Sequence, residues 1–388
     1  MGFTRAKRIV GLDLTEIVQL SERSAELRAA GRDIVALSTG EPDFPTPLHV
    51  IEAADAAARS GETRYPPTAG TAPLRSAIAA GAGVSPREVI VSTGAKQVIA
   101  NALLATLDPG DEVIVPAPYW TSYPDIVALA GGVPVVVPCA MARGFKLTPE
   151  ALESAITPRT RWLMLNSPSN PAGTTYSAEE LVGLAQVLAR HPHILILVDE
   201  IYALLSYVPF ASFRRICPEL ATRTLIVDGV SKAYAMTGWR IGWGIGHADL
   251  VAAMAVVQGQ TTSGACSIAQ AAALAALTGD QSCIATRREA YRARRDRVVA
   301  ALNRLPGVSC PRPDGAFYVF PHIGGAVRGR GFRTEGEFCV ALMEQAGVTL
   351  VPGRAFGMPD HARLSFAYSD ADLDEGLCRI AAFVQGGS

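Results

Sequence analysis

Seven short apolar runs mark the middle of the chain: EVIVST (88–93), DEVIVPA (111–117), VPVVVP (133–138), RWLMLN (161–166), ILILVDE (194–200), TLIVDG (224–229) and RIGWGIG (240–246). Helix-like segments lie between several of them, among them AKQVIANALLATL (95–107) and SAEELVGLAQVLARH (177–191). Strands this apolar are buried on both faces. Alternating with helices, they predict an α/β fold with a mostly parallel sheet covered on both sides. The second helix opens on Ser177 with Glu180 three residues on, a reciprocal capping pattern. In such sheets ligands bind beyond the carboxyl ends of the strands, so chemistry is sought in the residues that follow each run.

The flanks read differently. Residues 15–30 and 284–304 have helical patterns, the latter rich in Arg. GAFYVF (315–320) and ARLSFA (362–367) read as short strands, with helices near 334–346 and 370–384. The expected organisation is a large α/β domain at 45–283 and a smaller α+β domain built from 1–44 and 284–388. A length of 388 residues suits such a division.

Composition excludes several classes. A net charge of -1 lacks the basic footprint of a nucleic-acid binder. Seven scattered cysteines without a CxxC pair fit neither a disulfide framework nor a zinc ribbon, so a reduced, cytoplasmic setting is expected. The start, MGFTRAKRIVGLDL, has no apolar stretch of the kind a signal peptide needs. No run approaches the roughly 18 apolar residues of a membrane span. Six histidines show no ligand spacing, so no metal is expected. GWGIG (242–246) lacks the strand-turn-helix setting of a dinucleotide fingerprint, and no nucleophile elbow supports a serine hydrolase.

Only four of the 35 basic residues are lysines: Lys7, Lys96, Lys146 and Lys232. Lys232 stands just beyond TLIVDG, at a strand end. An arbitrary lysine is usually a surface charge, but burial and nearby cations turn an amine into a Schiff-base nucleophile. Arg240, eight residues on, offers a permanent charge to an anion. Asp199 ends ILILV with Tyr202 at i+3; it reads either as a helix cap or as the acid that keeps a pyridine nitrogen protonated. Asn170 lies in the Pro-flanked loop SPSNPAG, a setting shared with ordinary turns. Thr93-Gly94-Ala95-Lys96 opens a helix whose backbone N–H groups suit a phosphate, or simply makes a tight turn. Trp120 ends PAPYW as a ring-stacking or core aromatic.

Together these segments resemble the pyridoxal-phosphate-dependent class I/II aminotransferases of fold type I. SKAYAMTGWRIG, NSPSNPAG, DEIY and GAFYVFP occur in the family's order, and the resemblance runs from GEPDFPTP (40–47) to ARLSFA. It implies a seven-stranded large domain, a smaller α+β domain and pyridoxal 5'-phosphate as cofactor. Lys232 would form the Schiff base and shuttle the 1,3-proton, and Asp199 would pair with the pyridine nitrogen. Asn170 and Tyr202 would bond the phenolic oxygen, while Trp120 stacks on the ring. Gly94, Ala95, Ser231 and Arg240 would hold the phosphate, beside Lys96. Tyr65, in TRYPPTAG, would reach the phosphate of the neighbouring subunit, implying a homodimer with shared sites. Arg363 would bind the substrate α-carboxylate, with Gly40 against it.

Within the family the chain most resembles the bacterial aspartate and aspartate/prephenate subgroup, in which the lysine matching Lys96 meets a distal carboxylate. The implied reaction is ping-pong transamination between an L-amino acid and a 2-oxo acid. Two departures bear on substrate choice. Thr15-Glu16-Ile17 replaces a Ser-x-Thr pattern, so Glu16 would disfavour dicarboxylates if it pointed into the site, and Gly229 stands where a hydroxyl residue is common. An aromatic amino acid aminotransferase, or a C–S lyase or decarboxylase on the same cofactor, is the alternative. A non-catalytic sensing module would need a DNA-binding segment, and the roughly 40 residues before GEPDF hold no helix-turn-helix.

Overall fold

The structure is a computed structural model that describes residues 4–386 apart from Asp13. Twelve strands occur among the described residues: β1 (Val35–Ala36), β2 (Val89–Thr93), β3 (Glu112–Ala117), β4 (Val133–Pro138), β5 (Thr160–Asn166), β6 (Leu195–Asp199), β7 (Thr224–Gly229), β8 (Ile241–Ile245), β9 (Tyr318–Val319), β10 (Val348–Thr349), β11 (Val351–Pro352) and β12 (Ala362–Ser365). The seven apolar runs supply β2 to β8, which form one sheet in the order β2-β8-β7-β6-β5-β3-β4. Only β8 runs antiparallel to its neighbours β2 and β7; the other pairs are parallel.

Successive strand residues point to opposite faces, and this divides the core. Trp162, Met164, Leu197 and Leu225 pack on one side, under helices Ala95–Thr106 and Ala248–Thr261. Leu163, Leu165, Ile196 and Ile226 pack on the other, with helices Ala178–Ala189 and Ser267–Thr278. Burial on both faces holds for the central strands and fails at β4. That edge strand has exposed and half-buried residues and none fully buried, and its Pro134 and Pro138 remove backbone donors an unwanted neighbour could use. The capping pair is present, with the Ser177 N–H donating to Glu180 at 2.7 Å and the Glu180 N–H to the Ser177 hydroxyl at 3.2 Å.

The glycines of β8 explain GWGIG. A Cβ on Gly244 would lie 2.8 Å from Val98 Cγ1, and one on Gly242 would collide with the backbone of Ala95. Bare strand surface therefore lets the start of helix Ala95–Thr106 settle close to the sheet.

A second, smaller set of elements flanks this sheet. Strands β11-β12-β9 are antiparallel, and β1 pairs with β10 in parallel. Helices Ser282–Leu302, Glu335–Ala346 and Asp370–Gln385 accompany them. The ladders at Tyr318–Val319 and Ala362–Ser365 are shorter than the apolar runs that contain them. Among the described residues no helix is long and apolar enough to cross a membrane.

Candidate active site

The carboxyl ends of the central strands open onto a cavity of about 370 Å³, closed from the other side by segment 38–41, Tyr318 and Arg363. Lys232 enters it three residues after β7. Its Nζ donates to the Gly40 carbonyl at 2.7 Å. Burial, with the Arg363 and Arg240 charges adding to it, pulls this amine down to about 8 against the opposing pull of Glu41 and Asp199. A cation forced into this setting gives up its proton more readily, which is what a nucleophilic lysine requires.

Asp199 ends β6 and is 5% exposed. Its carboxylate accepts from the Tyr123 hydroxyl at 2.7 Å and the Ile201 N–H at 3.1 Å. Burial nevertheless pushes it up to about 6, although both hydrogen bonds and the Lys232 charge oppose the rise. An acid in this state is completed by a cationic N–H on the cavity side.

The loop after β5 is anchored through Asn166, whose Nδ2 donates to the Asp199 carbonyl and whose Oδ1 accepts from the Asn170 N–H at 2.7 Å. That leaves the Asn170 side chain free to accept from Arg363 Nη1 at 2.9 Å. Arg363 is no surface charge. It lies in β12 at 1% exposure, with a second donor on the Ser38 carbonyl and its Nε unpartnered. The titratable groups facing it are Tyr318, Tyr202, Tyr368 and the Lys232 amine, none of them a carboxylate. Its charge is thus buried with no acid beside it, a costly arrangement that an incoming carboxylate relieves.

Gly94 precedes helix Ala95–Thr106 at φ +81°, and a Cβ there would run into the Arg240 guanidinium. Arg240, itself left-handed at φ 58°, donates from Nη1 to the Thr237 carbonyl at 2.8 Å. With Ala95 and Ser231 on the same cavity wall, these groups make a cradle for an anion at a helix N-terminus. Lys96 Nζ sits 4.8 Å above the Trp120 ring, its pKa lowered chiefly by burial.

Of the residues singled out from sequence, eleven line this one cavity: Gly40, Ala95, Lys96, Trp120, Asn170, Asp199, Tyr202, Ser231, Lys232, Arg240 and Arg363. Gly94 stands directly behind Arg240. Tyr65 is not brought to it; its side chain is 93% exposed in the single chain. Sequence reasoning passed over Tyr123, Asn166, Glu41, Thr237 and Tyr318, which line the cavity as well. Tyr318 lay inside the quoted GAFYVF run, and Tyr123 three residues beyond Trp120.

Both departures also have a structural outcome. Glu16 does not line the cavity; it pairs with Arg354 at 2.7 Å, and Ile17 is the residue that lines it. At Gly229 a Cβ would stand 2.9 Å from the Ile241 carbonyl oxygen, so a hydroxyl residue would require β7 and β8 to shift apart.

An amine that burial favours as neutral suits a covalently held carbonyl group, and a buried arginine with no carboxylate beside it suits a carboxylate substrate. The sequence profile of the family described as "Aminotransferase class I and II" matches residues 32–380. The chain is 48% identical to an aspartate aminotransferase of Rhizobium meliloti, covering 98% of this chain and 96% of that one. It is 49% identical to an aspartate/prephenate aminotransferase of Cereibacter sphaeroides, covering 96% of each. The crystal structure of the aspartate aminotransferase from Rhizobium meliloti superposes with a TM-score of 0.95 at 47% identity, over 99% of both chains. That of the Thermus thermophilus enzyme with maleate gives 0.93 at 42% identity, over 98% of this chain and 100% of that one.

The chain belongs to the class I and II aminotransferases, pyridoxal-phosphate-dependent enzymes that move amino groups between amino acids and 2-oxo acids. The cavity fits that cofactor on its own evidence. The Asp199 carboxylate is hydrogen-bonded by the Tyr123 hydroxyl and the Ile201 N–H, and Lys232 acts on it through charge alone; the cradle requires the missing Cβ of Gly94, and Lys232 lines the same cavity.

Proposed function

We propose that this enzyme transfers the amino group of L-aspartate or a similar dicarboxylic amino acid, with glutamate and its oxo acid as the second pair. The observation that carries this reading is the Lys96 ammonium, held over Trp120 on the wall of the cavity that Arg363 also lines. Two separated cations suit a substrate with two carboxylates, and relatives named for aspartate support the choice.

In this reading Lys232 Nζ would hold the cofactor, and the same nitrogen, when free, would take the substrate Cα proton and return it one position away. Pyridoxal phosphate, when bound, supplies an electron-withdrawing ring that accepts the electron pair released at Cα. Asp199 would keep the pyridine N–H protonated, while Asn170 and Tyr202 would hydrogen-bond the phenolic oxygen. Trp120 would cover the ring face. Gly94, Ala95, Ser231 and Arg240 would bind the phosphate, with Lys96 beside it. Arg363 and Gly40 hold the α-carboxylate, and Lys96, Trp120 and Asn170 contact the rest of the substrate.

The same reading includes a homodimer. Arg240 is exposed beside an open cleft that also holds Thr93 and Cys266, and Tyr65 of one protomer would close the phosphate site of its partner. It divides the chain into a large domain at 45–283 and a small one from 1–44 and 284–388, and puts the protein in the cytoplasm.

A second reading, transamination of aromatic amino acids, is favoured by Ile17, which gives the distal wall an apolar surface. Adding one amino acid at a time to holoenzyme, with no oxo acid, separates the two through the cofactor's visible absorbance. Loss of the band with aspartate and glutamate is expected. Loss only with phenylalanine or tyrosine favours the second reading. Ammonia and pyruvate from a cysteine conjugate would mark a lyase instead.

A further inference from the structure

Three active-site groups, Arg363, Tyr202 and Gly40, meet on Tyr318. It is buried in β9, next to Leu364 and Ser365 of the β12 ladder. The Arg363 guanidinium lies 4.6 Å above its ring, with Phe356 at 5.0 Å as a second aromatic neighbour. Its hydroxyl is 2.9 Å from that of Tyr202. A Cβ on Gly40 would collide with this same hydroxyl, so segment 38–41 approaches only because residue 40 has no side chain.

We propose that Tyr318 is a positioning residue that serves both recognition events of the reaction: its ring orients Arg363, and its hydroxyl orients that of Tyr202. The proposal rests on the roles given above to Arg363 and Tyr202.

The ring does what an acid at this place could not. A carboxylate would neutralise Arg363 and compete with the substrate, whereas an aromatic face fixes the guanidinium plane and leaves its charge available. The Arg363 donors are held by neutral acceptors, the Asn170 side chain and the Ser38 carbonyl. The hydroxyl acts on the other side. For Tyr202 to donate its single hydrogen to the cofactor's phenolic oxygen, it must accept from Tyr318 rather than donate to it. A hydroxyl that accepts a hydrogen bond is the stronger donor. The charged or titratable groups facing Tyr202 are Tyr318 from β9, Arg363 from β12, Asp199 from β6, Lys232 beyond β7 and Tyr123 from helix Ser122–Leu129. Of these, Tyr318 is the one hydrogen-bonded to it.

Two variants separate ring from hydroxyl in the holoenzyme, with maleate as an unreactive dicarboxylate probe and Arg363→Leu as control. Tyr318→Phe keeps the ring. It is expected to bind maleate within about twofold of the parent, yet to raise the pH midpoint of the cofactor's visible band by roughly 0.3 to 1 unit. The sign follows from a weaker Tyr202 donor, which stabilises the phenolic anion less and so favours the protonated form. Tyr318→Leu removes the ring as well and is expected to weaken maleate by roughly 3- to 30-fold. A parental pH midpoint in Tyr318→Phe overturns the proposal, and this isosteric variant keeps the test decisive where Tyr318→Leu does not fold. Parental maleate affinity in Tyr318→Leu, with Arg363→Leu weakened, overturns the role of Tyr318 alone. Parental affinity in Arg363→Leu overturns it together with the reading of Arg363 beneath it.

Discussion

The cavity has two cationic ends, and they are built differently. Arg363 is sealed in a strand, its guanidinium between two aromatic rings and two of its nitrogens on fixed acceptors. Lys96 stands in the first turn of a helix, an exposed residue with its Nζ over one aromatic face. The first end has the rigidity that an invariant group of every amino-acid substrate requires. The second is a single charge on a flexible stem in a cavity that Ile17 also lines, where the group to be recognised varies from one substrate to another. Pre-organisation is concentrated at the end shared by all substrates.

This contrast makes graded predictions. Replacing Lys232 by Ala should erase the distinction altogether, lowering turnover of every amino acid by on the order of 10⁴-fold or more. Steady-state rates with aspartate and phenylalanine check this; comparable activity in the variant would remove Lys232 from the chemistry. Arg363→Leu should lower kcat/KM for aspartate and phenylalanine alike, by about 10²- to 10³-fold. Lys96→Ala should act on one class, costing aspartate and glutamate about 10- to 100-fold and leaving phenylalanine near its parental value. The smallest expected effect is Ile17→Thr, which adds a hydroxyl donor to the distal wall and should raise the aspartate-to-phenylalanine ratio by about two- to tenfold.

The titration of Lys232 sharpens the same picture from the cofactor side. A free lysine amine is half neutral near about 10.4, whereas here burial and the neighbouring arginines bring that point down to about 8. Only the neutral form attacks an aldehyde. Capture of pyridoxal phosphate by the apoenzyme should therefore accelerate as pH rises and level off above about 8. Replacing Arg363 by Leu removes a cation that disfavours the ammonium, so the midpoint should move upward. Stopped-flow absorbance across pH 6 to 10 would read both, with roughly half-unit spacing sufficient to see the shift.

Much of this is legible in the sequence, and for local reasons. Strand ends are marked by the close of an apolar run, and Lys232, Asp199, Asn170 and Lys96 all follow one within a few residues. What could not be read depends on contacts distant in sequence. Glu16 meets Arg354 across 338 positions and so leaves the cavity wall to Ile17. Tyr202 meets Tyr318 across 116. No periodicity marks the aromatic stack that buries Arg363 either, since an arginine that opens a strand looks like surface charge until its neighbours are known. The half-exposed β4 was likewise invisible, because a central strand and an edge strand can have the same composition; only position in the sheet distinguishes them.

The most direct test of the central claim is the ratio of kcat/KM for aspartate to that for phenylalanine, measured in the parent, Lys96→Ala and Arg363→Leu enzymes. If the two ends divide recognition as their construction indicates, the ratio falls by about tenfold or more in Lys96→Ala and holds within about threefold in Arg363→Leu. Equal losses for both substrates in Lys96→Ala, or a collapse of the ratio in Arg363→Leu, would contradict the account.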